Sequence, residues 1–204
     1  MKIRITALII LVIMALSLAA CTEGSDVNPE ENQALAGRQA GNEAVYYSFA
    51  YPNDWELSEN DGSIAIRIDC DSSSATARYA SINVLSFELS DTNTGARDYW
   101  NSYKKDLAAI MQDFTVLGGT EAETLEGEEG EVSEQPDGEA IELDGTVALR
   151  VKYSGKYTEN TYIYDQVICC RNGTVYLLTL CALNADFDSV KPSFETVIDT
   201  FVFE

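Results

Sequence analysis

The strongest constraint on the fold of this chain is a hairpin signal, Asn172-Gly173, between two long apolar segments. Asn-Gly is the preferred pair for a two-residue type I′ turn, whose twist suits antiparallel strands. With these residues as the loop, Arg171 pairs with Thr174 and Cys169 pairs with Tyr176. Since side chains alternate along a strand, this register predicts two apolar faces, and both must be covered. One face carries Ile168, Cys170, Val175, Leu177 and Cys181, and the other carries Val167, Cys169, Tyr176, Leu178 and Leu180.

Two segments carry apolar residues at the three- and four-residue spacing of an amphipathic helix. The first extends from Trp100 to Phe114, with Thr94 as a candidate N-cap, and a short strand at residues 115–117 follows it. The second includes Pro192, which a helix tolerates only in its first turn, so we expect that helix to begin near Ser189. A short strand at residues 201–203 follows. The two helices are the predicted covers of the two sheet faces.

The other apolar segments predict strands joined by hairpins. They lie near residues 45–50, 55–57, 63–69, 81–89 and 147–157, and a turn at 51–54 places Pro52 at its second position. We therefore predict an α+β fold over residues 45–204. Its architecture is a mainly antiparallel sheet sandwiched between helices, an α/β/α sandwich.

An acidic stretch interrupts this pattern. Residues 121–144 contain eleven acidic residues and no basic one, together with glycines and a proline, and they predict a solvated loop. Weak association with cations is the functional alternative, and its candidates are Glu126, Glu128, Glu129 and Glu131. The spacing of these carboxylates matches no calcium-binding loop. We therefore predict neither a defined metal site nor a cofactor.

The N-terminus has the features of an export signal. Lys2 and Arg4 precede an apolar segment at residues 5–18, too short for a membrane span. The following Leu18-Ala19-Ala20-Cys21 resembles a bacterial lipobox. That resemblance implies removal of residues 1–20 and attachment of acyl chains, such as palmitate, to Cys21, on the extracytoplasmic face of the cell membrane. The alternative is an ordinary secretory signal with a cysteine near the cleavage site by chance.

Residues 21–44 are polar and lack aromatic side chains, which predicts a lipidated flexible tether. After residue 20, no apolar segment is long enough to cross a bilayer. The lipid anchor is therefore the expected contact with the membrane.

Composition excludes several classes of function. The 204 residues include no histidine, which rules out imidazole as a base or a metal ligand. Thirty-four acidic residues against 13 basic ones give a net charge of −21, which argues against binding to nucleic acid. No spacing selects a pair of carboxylates, or a serine with a lysine, as catalysts. We expect a protein that is not an enzyme.

Four sequence patterns carry a family resemblance. They are Phe49-x-Tyr51-Pro52-x-x-Trp55, a strand Ala80-Ser81-Ile82-Asn83-Val84 that leads to a helix around Tyr99-Trp100, Leu143-Asp144-Gly145-x-x-Ala148, and a final helix that continues into Thr200-Phe201-Val202-Phe203. Over residues 45–204 the chain resembles the PsbP-like family. The resemblance implies an antiparallel sheet between helical layers and an accessory, non-catalytic role. The best-known members are accessory subunits of the oxygen-evolving complex, and many bacterial relatives are lipoproteins. The long acidic stretch departs from the family pattern.

Two groups of aromatic residues are candidates for binding. Tyr157 and Tyr162 flank the turn within residues 155–160, where a tyrosine-rich hairpin end offers a surface for a protein partner. The alternative is packing across the sheet. Phe49, Tyr51 and Trp55 can line a ligand cleft or belong to the core, and we favour the core.

Four cysteines remain in the domain. Cys169 and Cys170 point to opposite faces, and Cys181 lies opposite Tyr164 in the predicted register. A disulfide is therefore conceivable only through Cys70. Buried thiols that pack as small apolar groups are the default expectation.

These observations favour one functional hypothesis. The chain is expected to be a non-catalytic surface lipoprotein that acts as an accessory or partner-binding module in the cell envelope. The alternative is an extracytoplasmic module that binds a solute or a cation.

Overall fold

The computed structural model describes residues 38–42, 47–53, 55–60, 65–70, 80–118 and 137–204. Two helices lie in these ranges, α1 (Ala96–Ile110) and α2 (Phe187–Thr200). The strands are β1 (Arg38–Asn42), β2 (Tyr47–Tyr51), β3 (Trp55–Asn60), β4 (Ala65–Cys70), β5 (Ser81–Glu88), β6 (Gln112–Leu117), β7 (Glu139–Leu143), β8 (Thr146–Tyr157), β9 (Asn160–Arg171), β10 (Thr174–Leu183) and β11 (Val202–Phe203).

The predicted hairpin lies at the centre of the main sheet. β9 and β10 pair with Arg171 opposite Thr174, Cys169 opposite Tyr176 and Cys181 opposite Tyr164, so the predicted register is confirmed. Asn172 and Gly173 have φ of 52° and 79°, the left-handed pair that a type I′ turn requires. The sheet order is β3-β4-β5-β10-β9-β8, and the outer edge of β8 pairs with β6 and β7. All its pairings are antiparallel.

Both faces of this sheet are covered, as the hairpin pattern predicts. Val167, Leu178 and Leu180 belong to a core that contains Phe194 and Val197 of α2. Ile168, Val175 and Leu177 belong to a second core that contains Trp100 and Leu107 of α1. The two helices therefore lie on opposite faces, and the predicted α+β sandwich is confirmed.

A second, three-stranded sheet, β1-β2-β11, was not anticipated as a separate layer. It joins α2 on its side of the main sheet, where Tyr47, Phe49 and Phe201 stack. The predicted strand at the C-terminus is confirmed as β11. The polar composition of residues 38–42 predicts a tether, but these residues form β1. Main-chain hydrogen bonds to β2 hold this strand, so apolar patterning gives no signal for it.

β6 and β7 form one interrupted strand along the edge of β8. Leu117 pairs with Lys152, and Glu139 pairs with Arg150, so only the position opposite Val151 separates the two segments. The chain leaves and rejoins this line at Gly118 and Gly138, with φ of 84° and 72°. The residues between them are thus an insertion into a single strand position. The predicted acidic loop is too long at its C-terminal end, because residues 139–143 are β7.

The end of β7 contains a hairpin signal that the charge of this region obscures. Asp144 and Gly145 have φ of 43° and 69° and connect β7 to β8 in the same type of turn as Asn172-Gly173. Leu143, which is fully buried, and the half-buried Ile141 pack on the α2-side core. Two apolar side chains and an Asp-Gly turn are therefore enough for residues 139–143 to form a strand despite their acidic neighbours.

Several predicted element ends differ from the structure. Gly95, rather than Thr94, is the N-cap of α1, without a side-chain hydrogen bond. α1 ends at Ile110, and Phe114 belongs to β6. α2 begins at Phe187, two residues before Ser189. Pro192 therefore lies in the second turn of the helix, four residues after the exposed Asp188. The missing N–H of Pro192 leaves the Asp188 carbonyl without its helical donor, a cost that the buried face of the helix offsets.

The turn after β2 also differs in detail. The Trp55 amide donates to the Pro52 carbonyl at 3.1 Å, so Pro52 is the first residue of the turn and not the second. In the described ranges, neither helix combines the length and apolar character needed to cross a membrane.

The interrupted strand generates a testable prediction. Replacing residues 119–136 with Gly-Gly should preserve cooperative folding and change the free energy of unfolding by less than about 1 kcal/mol, because β6 and β7 remain paired with β8 and a shorter loop closes at slightly lower entropic cost. Thermal unfolding followed by circular dichroism measures this. A Gly/Ser segment of the original length is the matched control. Loss of the cooperative transition in both variants would contradict the interpretation of residues 119–136 as an insertion into the edge strand.

Candidate functional site

Several residues singled out by the sequence lie outside the described ranges. These are the lipobox, Leu18, Ala19, Ala20 and Cys21, and the acidic candidates Glu126, Glu128, Glu129 and Glu131. Within the described ranges, no three Cys, Asp or Glu side chains converge as a metal site requires.

The two tyrosines at the end of the β8–β9 hairpin have different environments. Tyr157 is the last residue of β8 and is 43% exposed. Tyr162 is only 4% exposed and belongs to the α1-side core. Tyr157 is therefore an exposed aromatic side chain, whereas Tyr162 packs in the core.

Tyr157 lies at an end of the molecule that we call the hairpin tip, defined as Ile110, Asp113, Lys156, Tyr157 and Thr158. Ile110 is 43% exposed at the last position of α1. Lys156 and Asp113 form an ion pair of 2.6 Å between β8 and β6. Asp113 and Thr158 have φ of 53° and 55°, a conformation that costs energy for a residue with a Cβ. The tip thus combines two exposed apolar side chains with strained backbone.

The aromatic residues of the opening pattern are part of the core, as expected. Phe49, Tyr51 and Trp55 are between 1% and 4% exposed and pack in the α2-side core. They have no surface with which to line a cleft.

The described cysteines are on both faces of the hairpin. Cys169 and Cys170 are free thiols, and burial raises the pKa of each to about 11, which disfavours the reactive thiolate. Asp69, the neighbour of Cys70, pairs with Ser81 at the start of β5, whereas Cys169 is in line with Ser86 near the end of β5. The two cysteines are therefore separated by about 20 Å along the strand direction. Cys70 is therefore too far from Cys169 to form a disulfide.

A group of buried polar side chains lies between α1 and the sheet. Asn83, Thr179 and Gln166 occupy partner positions across β5, β10 and β9 and are at most 7% exposed. Tyr103 of α1 lies beside Gln166 and beside Tyr153 of β8, and both tyrosines are at most 5% exposed. We call these five residues the polar row.

The hydrogen bonding of the polar row is incomplete. The Gln166 Nε2 donates to Thr179 Oγ1 at 2.8 Å, and the Asn83 Nδ2 donates to Ser81 Oγ at 3.2 Å. The hydroxyls of Tyr103 and Tyr153 bond to each other, and Tyr103 also bonds to Gln166. The Asn83 Oδ1 and the Gln166 Oε1 are buried without a hydrogen bond of good geometry. Buried polar atoms are nearly always partnered, and the tyrosine hydroxyls of the row meet this requirement through each other and through Gln166. Sequence reasoning missed the polar row because all five residues suit a strand or a helix face.

Asp137 fastens α1 at the edge of the sheet. Its carboxylate accepts hydrogen bonds from Trp100 Nε1 at 2.9 Å and from Lys104 Nζ at 2.6 Å, and its carbonyl accepts one from Arg97 at 2.6 Å. Burial raises the pKa of Asp137, but the bonds from Lys104 and Trp100 outweigh this effect and lower the pKa below its usual range.

Arg150 fastens α2 on the opposite face. Its guanidinium donates two bonds to Asp165 at 2.8 Å and two to Glu195 of α2 at 2.8 and 3.0 Å. Asp165 is 1% exposed, so its charge depends on this partner. Hydrogen bonding to Asp165 and Glu195 raises the pKa of Arg150, and the bond from Arg150 lowers the pKa of Glu195.

Comparison with known proteins gives matches in structure only. No protein-family model matches the sequence, and no curated protein matches it. CyanoP, the cyanobacterial PsbP of Synechocystis, aligns with 87% of this chain and 99% of its own, at TM-score 0.53 and 18% identity. LpqN, involved in cell envelope biogenesis of Mycobacterium tuberculosis, aligns with 81% of this chain and 84% of its own, at TM-score 0.52 and 13% identity.

Two further solved structures share the fold. The Ran-binding protein Mog1p of Saccharomyces cerevisiae aligns with 83% of this chain and 96% of its own, at TM-score 0.55 and 10% identity. A Bacteroides thetaiotaomicron structure matches at TM-score 0.54 and 12% identity, and there the chain spans about half, 49%, of the longer protein. The chain therefore has a PsbP-like fold. At these identities the likeness shows the fold alone, and one fold serves several roles.

The Arg150 cluster generates a prediction. Arg150→Ala should lower the free energy of unfolding by about 3 kcal/mol, because it leaves the Asp165 charge buried and unpaired. Wild type should also lose stability as pH falls through the lowered pKa of Glu195, since that carboxylate binds protons more readily in the unfolded chain. Denaturant unfolding at several pH values measures both effects.

The matched control for this prediction is Lys191→Ala. Lys191 is 3.8 Å from the same Glu195 carboxylate and is 43% exposed, so its loss should cost no more than about 0.5 kcal/mol. Equal effects of the two substitutions would contradict the role given to Arg150.

Proposed function

We propose that this chain is a lipid-anchored accessory protein on the extracytoplasmic face of the cell membrane, which binds another protein and catalyses no reaction. The observation that carries the binding role is the hairpin tip, where Tyr157 and Ile110 are exposed next to strained backbone. Exposed aromatic side chains on a rigid support are the usual anchors of protein interfaces.

The resolved pKa shifts support a role without catalysis. Burial raises the pKa values of Tyr47, Tyr99, Tyr103, Tyr153 and Tyr164, and it raises those of Cys169 and Cys170 to about 11. Hydrogen bonds lower the pKa values of Asp137 and Glu195. A general acid or base works best with a pKa near the operating pH, and each of these shifts moves away from neutrality.

The resemblance of residues 18–21 to a lipobox supports the membrane anchor. The structural neighbour LpqN, which takes part in cell envelope biogenesis, is consistent with an envelope location. Two acyl chains on Cys21 bind a bilayer stably without a spanning segment.

Lipidation can be tested by metabolic labelling with an alkyne analogue of palmitate. Wild type should be labelled and sediment with membranes, whereas Cys21→Ser should be unlabelled, because the thiol that carries the acyl chains is gone. Cys70→Ser is the matched control and should behave like wild type. Label retained by the Cys21→Ser variant, or absent from wild type, would refute the anchor.

Partner binding can be tested with a photo-crosslinking amino acid at position 157 in native membranes. A discrete adduct should form there and not at Val147, which is 71% exposed near the opposite end of β8. Tyr157→Ala should reduce recovery of the partner about tenfold, because an exposed aromatic anchor is lost. Adducts of equal yield at both positions, or none at position 157, would reject the hairpin tip as the interface.

A further inference from the structure

The hairpin tip is built from two elements that are fixed to each other. Met111, directly after α1, lies on the backbone of β8, where the buried Gly155 leaves no room for a Cβ beside the Met111 Cε. The ion pair of 2.6 Å within the tip joins β8 to β6 at the same end. Ile110 and Tyr157, which are next to these contacts in the chain, are therefore held in place although each is 43% exposed.

Tyr157 and the end of α1 border the same surface. Side chains alternate along β8, and Tyr153 belongs to the α1-side core, so Tyr157 lies on the α1 face of the sheet. By the same alternation, Lys156 lies on the opposite face. α1 ends at Ile110, so the Tyr157 ring lies on the face that α1 covers, beyond the C-terminus of the helix.

The charges around this surface are mainly negative. The last turn of α1, all of it within the described ranges, contains no basic side chain to offset the partial negative charge of the helix C-terminus. Lys105 lies more than one turn earlier, and helix side chains tilt toward the N-terminus. Lys156 is paired with Asp113. The exposed Glu159 adds a carboxylate in the turn after Tyr157.

An arginine side chain matches both the aromatic ring and the negative charge. A guanidinium stacks on the face of a tyrosine ring and is always positively charged. Arginine and tyrosine are also enriched among the residues that dominate the binding energy of protein interfaces. The net charge of −21 attracts a positively charged partner and repels a second copy of this chain.

We propose that the hairpin tip binds an exposed arginine of the partner protein together with an apolar side chain next to it. The guanidinium stacks on Tyr157, close to the C-terminus of α1 and to Glu159, and the apolar side chain packs on Ile110. This inference rests on the proposed function, because it specifies the chemistry of the protein that the tip binds.

The first test titrates the purified chain, with methyl-labelled isoleucine, with the peptide acetyl-Leu-Arg-Leu-amide. Saturable shifts of the Ile110 methyl signal in NMR spectra, and none with acetyl-Leu-Glu-Leu-amide, support the proposal. Tyr157→Leu should weaken binding of the arginine peptide about tenfold, because the stacking ring is lost. Tyr157→Phe is the matched control and should bind like wild type. Equal shifts with both peptides, or none with either, would overturn the arginine site.

The second test supplies a cation from the chain itself. Ala109→Lys adds a basic side chain to the exposed last turn of α1, so it should raise the thermal midpoint slightly. The same variant should weaken binding of the arginine peptide about fivefold, because its ammonium group offsets the negative charge that attracts the guanidinium. Ala109→Gln is the matched control and should change neither quantity. A folded Ala109→Lys variant that binds the peptide as tightly as wild type would also overturn the proposal.

The arginine site and the proposed function fail in different ways. A crosslinked adduct at position 157 in native membranes, combined with no preference for the arginine peptide, overturns the arginine site and leaves partner binding in place. Absence of the adduct rejects the proposed function, and the peptide titrations then decide by themselves whether the tip binds arginine.

Discussion

The structure depends on a single hairpin whose two faces are both apolar. β9 and β10 place Val167, Leu178 and Leu180 on one side and Ile168 and Leu177 on the other, each fully buried. A layer on only one side would leave the other set in water, at a cost of roughly 25 cal/mol for each Å² of exposed apolar surface. The remaining strands extend the sheet on both sides of this hairpin. α1 and α2 pack on its two faces and bury their apolar side chains.

The polar contacts beneath the two helices differ in chemistry. On the α2 side Arg150 is hydrogen-bonded to both Asp165 and Glu195, within a largely apolar layer that also includes the small sheet. On the α1 side the row from Asn83 to Gln166 keeps unpartnered oxygens under the helix. The α2 face therefore depends on ion pairs at its polar positions, whereas the α1 face depends on uncharged hydrogen-bonding groups. The β6–β7 line is interrupted at one position, and its pairing with β8 continues on both sides of that position.

Local chemistry explains which features the sequence could predict. The Asn172-Gly173 turn, the register it sets and the periodicity of both helices depend on neighbours in the chain, and each is confirmed. β1 could not be predicted, because Arg38–Asn42 pairs through its main chain with a partner in β2. β7 was hidden by its acidic composition, although Leu143 and the Asp144-Gly145 turn marked it. Of the candidate binding residues described, Tyr157 is exposed and Tyr162 is not.

The sequence by itself determined that the chain forms an antiparallel sheet with two covered faces, that imidazole chemistry is absent, and that a lipobox-like segment precedes the domain. These properties follow from residue type and short-range spacing. Only the tertiary structure decided that Asn83, Thr179, Gln166, Tyr103 and Tyr153 meet, and that Asp137 reaches α1. The five residues of the polar row come from five different elements, and Asp137 lies outside all of them. Their hydrogen bonding depends on distances between elements, which no local sequence pattern encodes.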